Sequence, residues 1–236
     1  MILYGLNVAA FKLPIEVPVD SIIEEMEQFE DCFIPHNMQI GQVGWETVSL
    51  KGALGNWSFS DPAFYQWRPE MNPFYGSDHT KTQRLKYLSK WAYTELSCFA
   101  PRTTNFVKSL EGLGSFLNGA RFLKVNPESH IDFHADNNPH KEFRVTIGLS
   151  GIEDEDFVIQ TSNNKLVTIP MKVGEAWFVD ISLGHAVYNL GKKPRYRLGL
   201  QYYSPTSDAL LEMFKHAKED DIIYSKHIVR DADLET

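Results

Sequence analysis

The chain is 236 residues long, 43% hydrophobic and 23% charged, an ordinary balance for a folded protein with a full core. Its formal net charge is -8 with the acids spread along the sequence, so a broad phosphate-tracking surface and a nucleic-acid partner are not expected. No apolar run nears the roughly 20 residues that cross a bilayer, so no membrane partner is expected either.

The opening run "MILYGLNVAAFKLP" has no basic leader and is broken by Lys12 and Pro14, so it does not read as a signal peptide and a cytoplasmic location is expected. Cys32 and Cys98 fit no metal-ligand spacing and cannot build a disulfide framework; buried, reduced thiols are expected. In that setting the sequon Asn56-Trp57-Ser58 reads as coincidence. Aromatics at 13% favour strand-rich packing or an aromatic-lined pocket over a plain helical bundle.

In chain order, "PVDSIIEEMEQFEDCF" carries apolar residues at helical spacing behind an Asp20 cap, and "WETVSLKG" reads as a strand. The stretch "FSDPAFYQWRPEMNPFYGSD" is an aromatic loop, a lid or a pocket wall. "KTQRLKYLSKWAYTELSCF" has a helical period, and "TTNFVKSLEGLGSFL" reads as a further helix ending at a glycine. From Gly119 the pattern changes to short β-type runs: "ARFLKVN", "SHIDFH", "EFRVTIGLS", "DFVIQT", "KLVTIP", "EAWFVDI", "HAVYNL" and "RYRLGLQYY". The tail "SPTSDALLEMFKHAKEDD" returns to a capped helix. The expected fold class is α+β with a mainly β core, a jelly-roll-like barrel or double sheet with helices on one side. One domain is expected, with a helical and loop region carrying an added strand over 1–117, the β core over 118–204, and a C-terminal helix and tail over 205–236.

Alternation places His130, Asp132, His134 and Asp136 on one strand face, and Arg195, Arg197, Gln201 and Tyr203 on another. Within "NPESHIDFHADNN" a His-x-Asp triplet therefore occurs in two registers, His130-Ile131-Asp132 and His134-Ala135-Asp136. Two imidazoles and one carboxylate on one face of an iron(II) ion make an oxygenase-type site with open positions, and the third donor must come from a distant strand. His185 in "DISLGHAVYN" is the candidate. Because Asp136 opens the turn "DNNPH" at the strand end, where ligands have room to converge, the second register is favoured. His130 and Asp132 then stand behind the ligands, face substrate or lie exposed. A lone His-x-Asp is a weak signal, and His140, His216 and His227 read as loop or solvated residues.

The set is more specific as an ordered series: "P-x6-H-x-D" ending at Asp136, "R-x-x-x-G-L" from Arg144, "F-x-D-x4-H-x-V-x-N" holding Asp180, His185 and Asn189, and Arg195 ten positions after His185. Through these motifs, over Arg121 to Tyr203, the sequence resembles the aspartyl/asparaginyl β-hydroxylase-like iron(II)/2-oxoglutarate oxygenases, including bacterial free-proline cis-hydroxylases. The resemblance implies a double-stranded β-helix, with His134, Asp136 and His185 as the metal-binding and catalytic residues. It implies Arg195, helped by Arg144, as the group that binds 2-oxoglutarate. A guanidinium fork suits a carboxylate. Arg197 shares the face of Arg195, so a two-residue shift would exchange their roles, and spacing favours Arg195. Asp180, Asn189 and Arg197 are candidates for groups that orient the ligands. Unlike the animal β-hydroxylase, this chain has an acid, Asp136, in the first motif, which points to the free-amino-acid branch. The implied activity is hydroxylation of a C–H bond in a small polar substrate, an amino acid first, with Fe(II), 2-oxoglutarate and O2 required and succinate and CO2 released. The alternatives are hydroxylation of an Asp, Asn or Pro side chain in a peptide or protein, or a non-oxygenase cupin-like metal or sugar-binding module on the same barrel. Trp177, Gln201, Tyr203 and the aromatic loop are candidate pocket walls.

Overall fold

A computed structural model of the chain describes residues 7–35, 44–53, 55, 57, 91–136, 142–162, 165–203 and 207–225. Strands are numbered in chain order. The larger antiparallel sheet runs β13 (Ile222–Tyr224), β1 (Val8–Leu13), β10 (Ala176–Val179), β7 (Glu142–Ser150), β12 (Arg195–Tyr203), β5 (Phe116–Val125), β3 (Trp45–Ala53) and β2 (Ile34–Pro35), with β4 (Trp91–Tyr93) also paired to β3. The smaller sheet runs β6 (His130–His134), β11 (His185–Asn189), β8 (Glu155–Ser162) and β9 (Lys165–Thr168).

All eight runs expected after Gly119 are strands, β5 to β12, and the chain passes back and forth between the sheets as it lays them down. The result is the double-stranded β-helix, a mainly β fold of the α+β class. Side chains opposite one another across paired strands share a face, so each sheet sorts its residues by parity. On the larger sheet Phe143, Val145, Ile147, Leu198, Leu200 and Tyr202 turn outward into a core shared with the helices. Leu123, Val125, Trp177 and Val179 turn inward and meet Ile131, Phe157, Ile159 and Val187 of the smaller sheet. The site lies on that inner side.

Among the described residues three α-helices accompany the sheets: α1 (Val19–Glu27), α2 (Pro101–Ser109) and α3 (Asp208–Lys215). The Ser207 hydroxyl caps α3 by accepting from the Leu210 amide at 3.0 Å. Asp20 is not the cap of α1: it sits in the first turn, behind Pro18, and no side chain bonds there. The further helix expected over 103–117 stops at Ser109, continues as a 3-10 turn at Glu111–Leu113, and gives way to β5 at Phe116. Helical period also misleads at Trp91–Tyr93, which is strand, and at Glu95–Cys98, which is a 3-10 turn. There a non-local partner, β3, overrides the local spacing. The remainder of that expected helix and the aromatic loop lie outside the described residues. Nor are the thiols buried as expected: Cys32 is half-buried and Cys98 exposed. Among the described residues no helix is long and apolar enough to cross a membrane.

One contact joins α1 to α2. Helix α2 has no cap of its own, since Ala100 occupies that position. Glu25 of α1, 2% exposed, supplies it. Its Oε2 accepts from the Thr103 amide at 2.8 Å and hydroxyl at 2.7 Å, and its Oε1 from the Arg102 amide at 2.9 Å. Burial alone would raise this carboxyl, but the bonds from Thr103 and Arg102 outweigh it and hold the group below its ordinary 4.5. The sign follows: a depressed carboxyl stabilises the fold above the unfolded value, and that contribution is lost as pH falls through the folded value. Glu25→Gln is expected to lose roughly 2 to 4 kcal/mol at neutral pH. In urea titrations the gap to wild type should close as pH drops below about 4.5. A gap independent of pH would contradict this reading.

Candidate metal centre

The centre is set by the pairing of β6 with β11. His185 lies directly opposite His134, and between there and the Val187–Ile131 pair the register shifts by one residue. That bulge overturns the simple alternation expected for this strand. Before it, Ile131 points into the core at 4% exposure, while His130 and Asp132 face out and pair with each other at 3.0 Å. After it, His134 turns toward His185, their ring centroids 4.4 Å apart. The four residues therefore do not share a face, and the two His-x-Asp registers are separated structurally.

Each ring is oriented by its own backbone. His134 Nδ1 lies 2.7 Å from the Asp132 carbonyl and His185 Nδ1 2.9 Å from the Leu183 carbonyl. A carbonyl only accepts, so each Nδ1 carries the proton and each Nε2 keeps its lone pair. Burial pushes the His185 imidazole down to about 4, with Asp136 pulling the other way, so the ring is neutral at pH 7. His185 is 2% exposed and its Nε2 is buried with no hydrogen-bond partner among the described residues. Asp136 completes the group: its carboxylate, the His134 ring and the His185 ring offer donor atoms all within 4.8 Å of one another. Arg144 Nη2 donates to Asp136 Oδ2 at 3.2 Å and holds the carboxylate from the larger sheet. Two imidazoles that present Nε2 and a carboxylate, converging where the His185 lone pair is orphaned, fit a divalent metal of the iron(II) type.

The flanking turns fix these positions. Ahead of His185, Asp180 Oδ1 accepts from the Ser182 amide at 3.0 Å and from the Ser182 hydroxyl, closing the turn that delivers the imidazole. The Asp136 amide donates to the Ile181 carbonyl of that turn at 3.0 Å, which ties together the two segments that carry the candidate ligands. At the far end of β11, Asn189 Nδ2 donates to the Val125, Asn126 and Lys193 carbonyls at 2.9, 3.0 and 2.8 Å, and its Oδ1 accepts from the Gly191 amide. Asn189 thus clasps the turn leading to Arg195 and does not touch the imidazoles. Arg195, 1% exposed, donates from Nη1 to the Tyr188 carbonyl at 2.7 Å. Arg197, 4% exposed, stands 4.9 Å over the Phe157 ring, and that ring is 6.2 Å from His185. Both guanidiniums are interior groups and not cations of a wet face.

Trp177 belongs to the core between the sheets, with Nε1 donating to Glu175 at 3.2 Å, whereas Gln201 joins a polar array with Arg121 and Glu142. Tyr203 is half-buried beside Phe116 and Glu142 in the sheet register. His216 is exposed against Glu212, and His140 and His227 lie outside the described residues. Sequence reasoning missed Arg121 and Glu142; the available signal was Glu142 standing two residues before Arg144.

Fold and site together define a double-stranded β-helix with two histidines and one aspartate gathered where β6 meets β11. The model for the aspartyl/asparaginyl β-hydroxylase family matches residues 15–205, and the chain belongs to that family. It is accordingly a 2-oxoglutarate-dependent dioxygenase that works with Fe(II), 2-oxoglutarate and O2. No curated protein matches the sequence. Among solved structures it is similar to a 2OG-Fe(II) oxygenase family oxidoreductase from Burkholderia pseudomallei, at 14% identity over 84% of this chain and 85% of that one, with a TM-score of 0.44. It is also similar to a prolyl hydroxylase from Trichoplax adhaerens in complex with a hypoxia inducible factor peptide fragment, at 13% identity over 86% of each chain, TM-score 0.49. A prolyl-4-hydroxylase from Pseudomonas putida gives 10% identity over 85% of this chain and 95% of that one, TM-score 0.45. The family assignment rests on the family model.

Asn189→Ala takes the side-chain donor from one buried carbonyl, Val125, and two part-buried ones, Asn126 and Lys193. We expect a loss of roughly 2 to 4 kcal/mol in urea unfolding. Stability within about 0.5 kcal/mol of wild type would show that the clasp is not holding the turn.

Proposed function

We propose that the chain hydroxylates a C–H bond of a small polar substrate, an amino acid first, coupled to conversion of 2-oxoglutarate to succinate and CO2. The observation that carries the proposal is the convergence of the His134, Asp136 and His185 donors within 4.8 Å, with His185 Nε2 buried and unpartnered. These three residues would hold the iron, and the bound iron and 2-oxoglutarate would supply the oxidising chemistry. Everything else falls to the chain. The Asp132 and Leu183 carbonyls keep both imidazoles in the tautomer that presents Nε2. Arg144 holds and aims the Asp136 carboxylate. Arg195, with Arg197 beside it, would bind the far carboxylate of the cosubstrate; a buried guanidinium stays charged and pairs bidentately, which orients that end. The apolar walls around Phe157, Ile159 and Val187 exclude water from the side where the cosubstrate would lie.

The test is succinate release from 2-oxoglutarate with Fe(II) and ascorbate, first without added substrate and then with amino acids and short peptides, followed by mass spectrometry for one added oxygen. Wild type is expected to turn over slowly alone and faster with an amino acid. His185→Ala should lose metal retention and turnover together. Arg195→Ala should raise the KM for 2-oxoglutarate by about a hundredfold or more while keeping metal, since a buried charge-paired contact is worth several kcal/mol. A protein that binds metal yet never consumes 2-oxoglutarate would be a binding module and not an oxygenase. If Arg197→Ala gives the KM effect and Arg195→Ala does not, the anchor is the other guanidinium.

A further inference from the structure

Beside the metal donors stands a carboxylate that neither the metal nor the packing requires. Glu142 opens β7, two residues before Arg144 and on the same face, and its Oε2 accepts from Gln201 Nε2 at 2.8 Å. Gln201 Oε1 in turn accepts from Arg121 Nη2 at 2.6 Å. A guanidinium only donates, so Arg121 fixes which end of the amide is oxygen and leaves Nε2 to face Glu142. Three strands, β5, β12 and β7, are thus spent on holding one carboxylate in a single pose. Gln201 is the register partner of Arg144, which itself grips Asp136, so the array lies at the level of the metal donors.

The wall around it is polar beyond what packing needs. Thr146 pairs with Gly199, Gly199 with Arg121, and Arg121 with Ser49, one row across the inner face of the sheet. Thr146 Oγ1 and Ser49 Oγ, on residues each 1% exposed, have no hydrogen-bond partner among the described residues. Buried hydroxyls without partners are uncommon and point to a polar guest.

Charge says which guest. Among the described residues no cation forms an ion pair with Glu142; its one hydrogen bond comes from a neutral amide. Burial pushes its carboxyl up and Asp136 adds to that push, while the Gln201 bond and the Arg144 and Arg121 charges pull it down, and the upward push prevails. The two guanidiniums nearest in charge are committed elsewhere, Arg144 to Asp136 and Arg121 to Gln201, so among the described residues no cation pairs directly with this half-buried carboxylate, and an ammonium would supply both the charge and the donors.

We propose that Glu142, held by Gln201 and Arg121, is the specificity-determining group of this site and takes the ammonium of an amine-bearing substrate. This rests on the oxygenase reading above and narrows its substrate class to compounds with a free amine, of which an α-amino acid is the simplest. Glu142 binds and orients; it takes no part in oxidation.

The experiment measures binding by calorimetry to the full chain loaded with Mn(II) and 2-oxoglutarate, using the common L-amino acids and their N-acetyl derivatives as probes. Uncoupled succinate release by the wild-type protein with Fe(II) is measured in parallel. We expect at least one free amino acid to bind and its N-acetyl form to bind about tenfold or more weakly. Glu142→Gln, which keeps shape and removes charge, should abolish that preference. Gln201→Leu, which releases the carboxylate without removing it, should weaken it, and circular dichroism checks that both variants fold. Equal binding of free and acetylated forms by wild type, a preference that survives in Glu142→Gln, or no binding by any free amino acid overturns the proposal. If uncoupled succinate release is present while the amine preference is absent, only this inference fails. If no succinate forms, the oxygenase reading fails instead.

Discussion

The structure depends on one register. Two strands of the smaller sheet pair so that His134 meets His185, and a single extra residue on the first strand turns that imidazole inward after Ile131. Without the bulge, strict alternation would send His134 to the same side as the exposed His130 and Asp132. With it, the strand serves two ends: its first half closes the core between the sheets, and its last residue becomes a candidate ligand. The Asp136 amide bonded to Ile181 and the Asp180–Ser182 contact then lock the two segments together.

The larger sheet supplies what the smaller one lacks. Its inner face brings guanidiniums and a carboxylate to a site whose candidate ligands come from the end of one small-sheet strand and the start of another. Arg144 reaches Asp136 from β7, and Arg195 and Arg197 lie within the barrel from β12. Its outer face is covered by α1, α2 and α3, with Glu25 joining the first two helices. The helices thus stabilise the scaffold from behind while the chemistry-bearing groups stay on the far side. Family membership fits this division, since a metal and a cosubstrate do the hard chemistry and the protein contributes geometry, charge and dryness.

Much of this was legible in the sequence, for a physical reason. Strands β5 to β12 have strong periodicity bounded by turn residues, and all eight could be read. The order of His134, Asp136, Arg144, His185 and Arg195 could be read as well, because chain order follows strand order in this fold. Other features could not. Strand β1 is buried along almost its whole length, so Val8–Leu13 shows no alternation. The short β4 carries a helical spacing that only its partner β3 overrules. The bulge in β6 leaves no mark in residue type, and parity therefore misassigned His130 and Asp132. The cap that Glu25 gives α2 joins residues more than seventy positions apart, beyond any local pattern. Glu142 has no sequence mark beyond standing two residues before Arg144, and only the fold brings it to Gln201 and Arg121.

Anomalous diffraction from crystals of the protein soaked in Mn(II) and 2-oxoglutarate tests the central claim most directly. The account predicts one strong peak within coordinating distance of His134 Nε2, His185 Nε2 and an Asp136 carboxylate oxygen, with the 2-oxoglutarate carboxylate farther in against a guanidinium from β12. A peak at His130 and Asp132, or none between the two facing imidazoles, would contradict it.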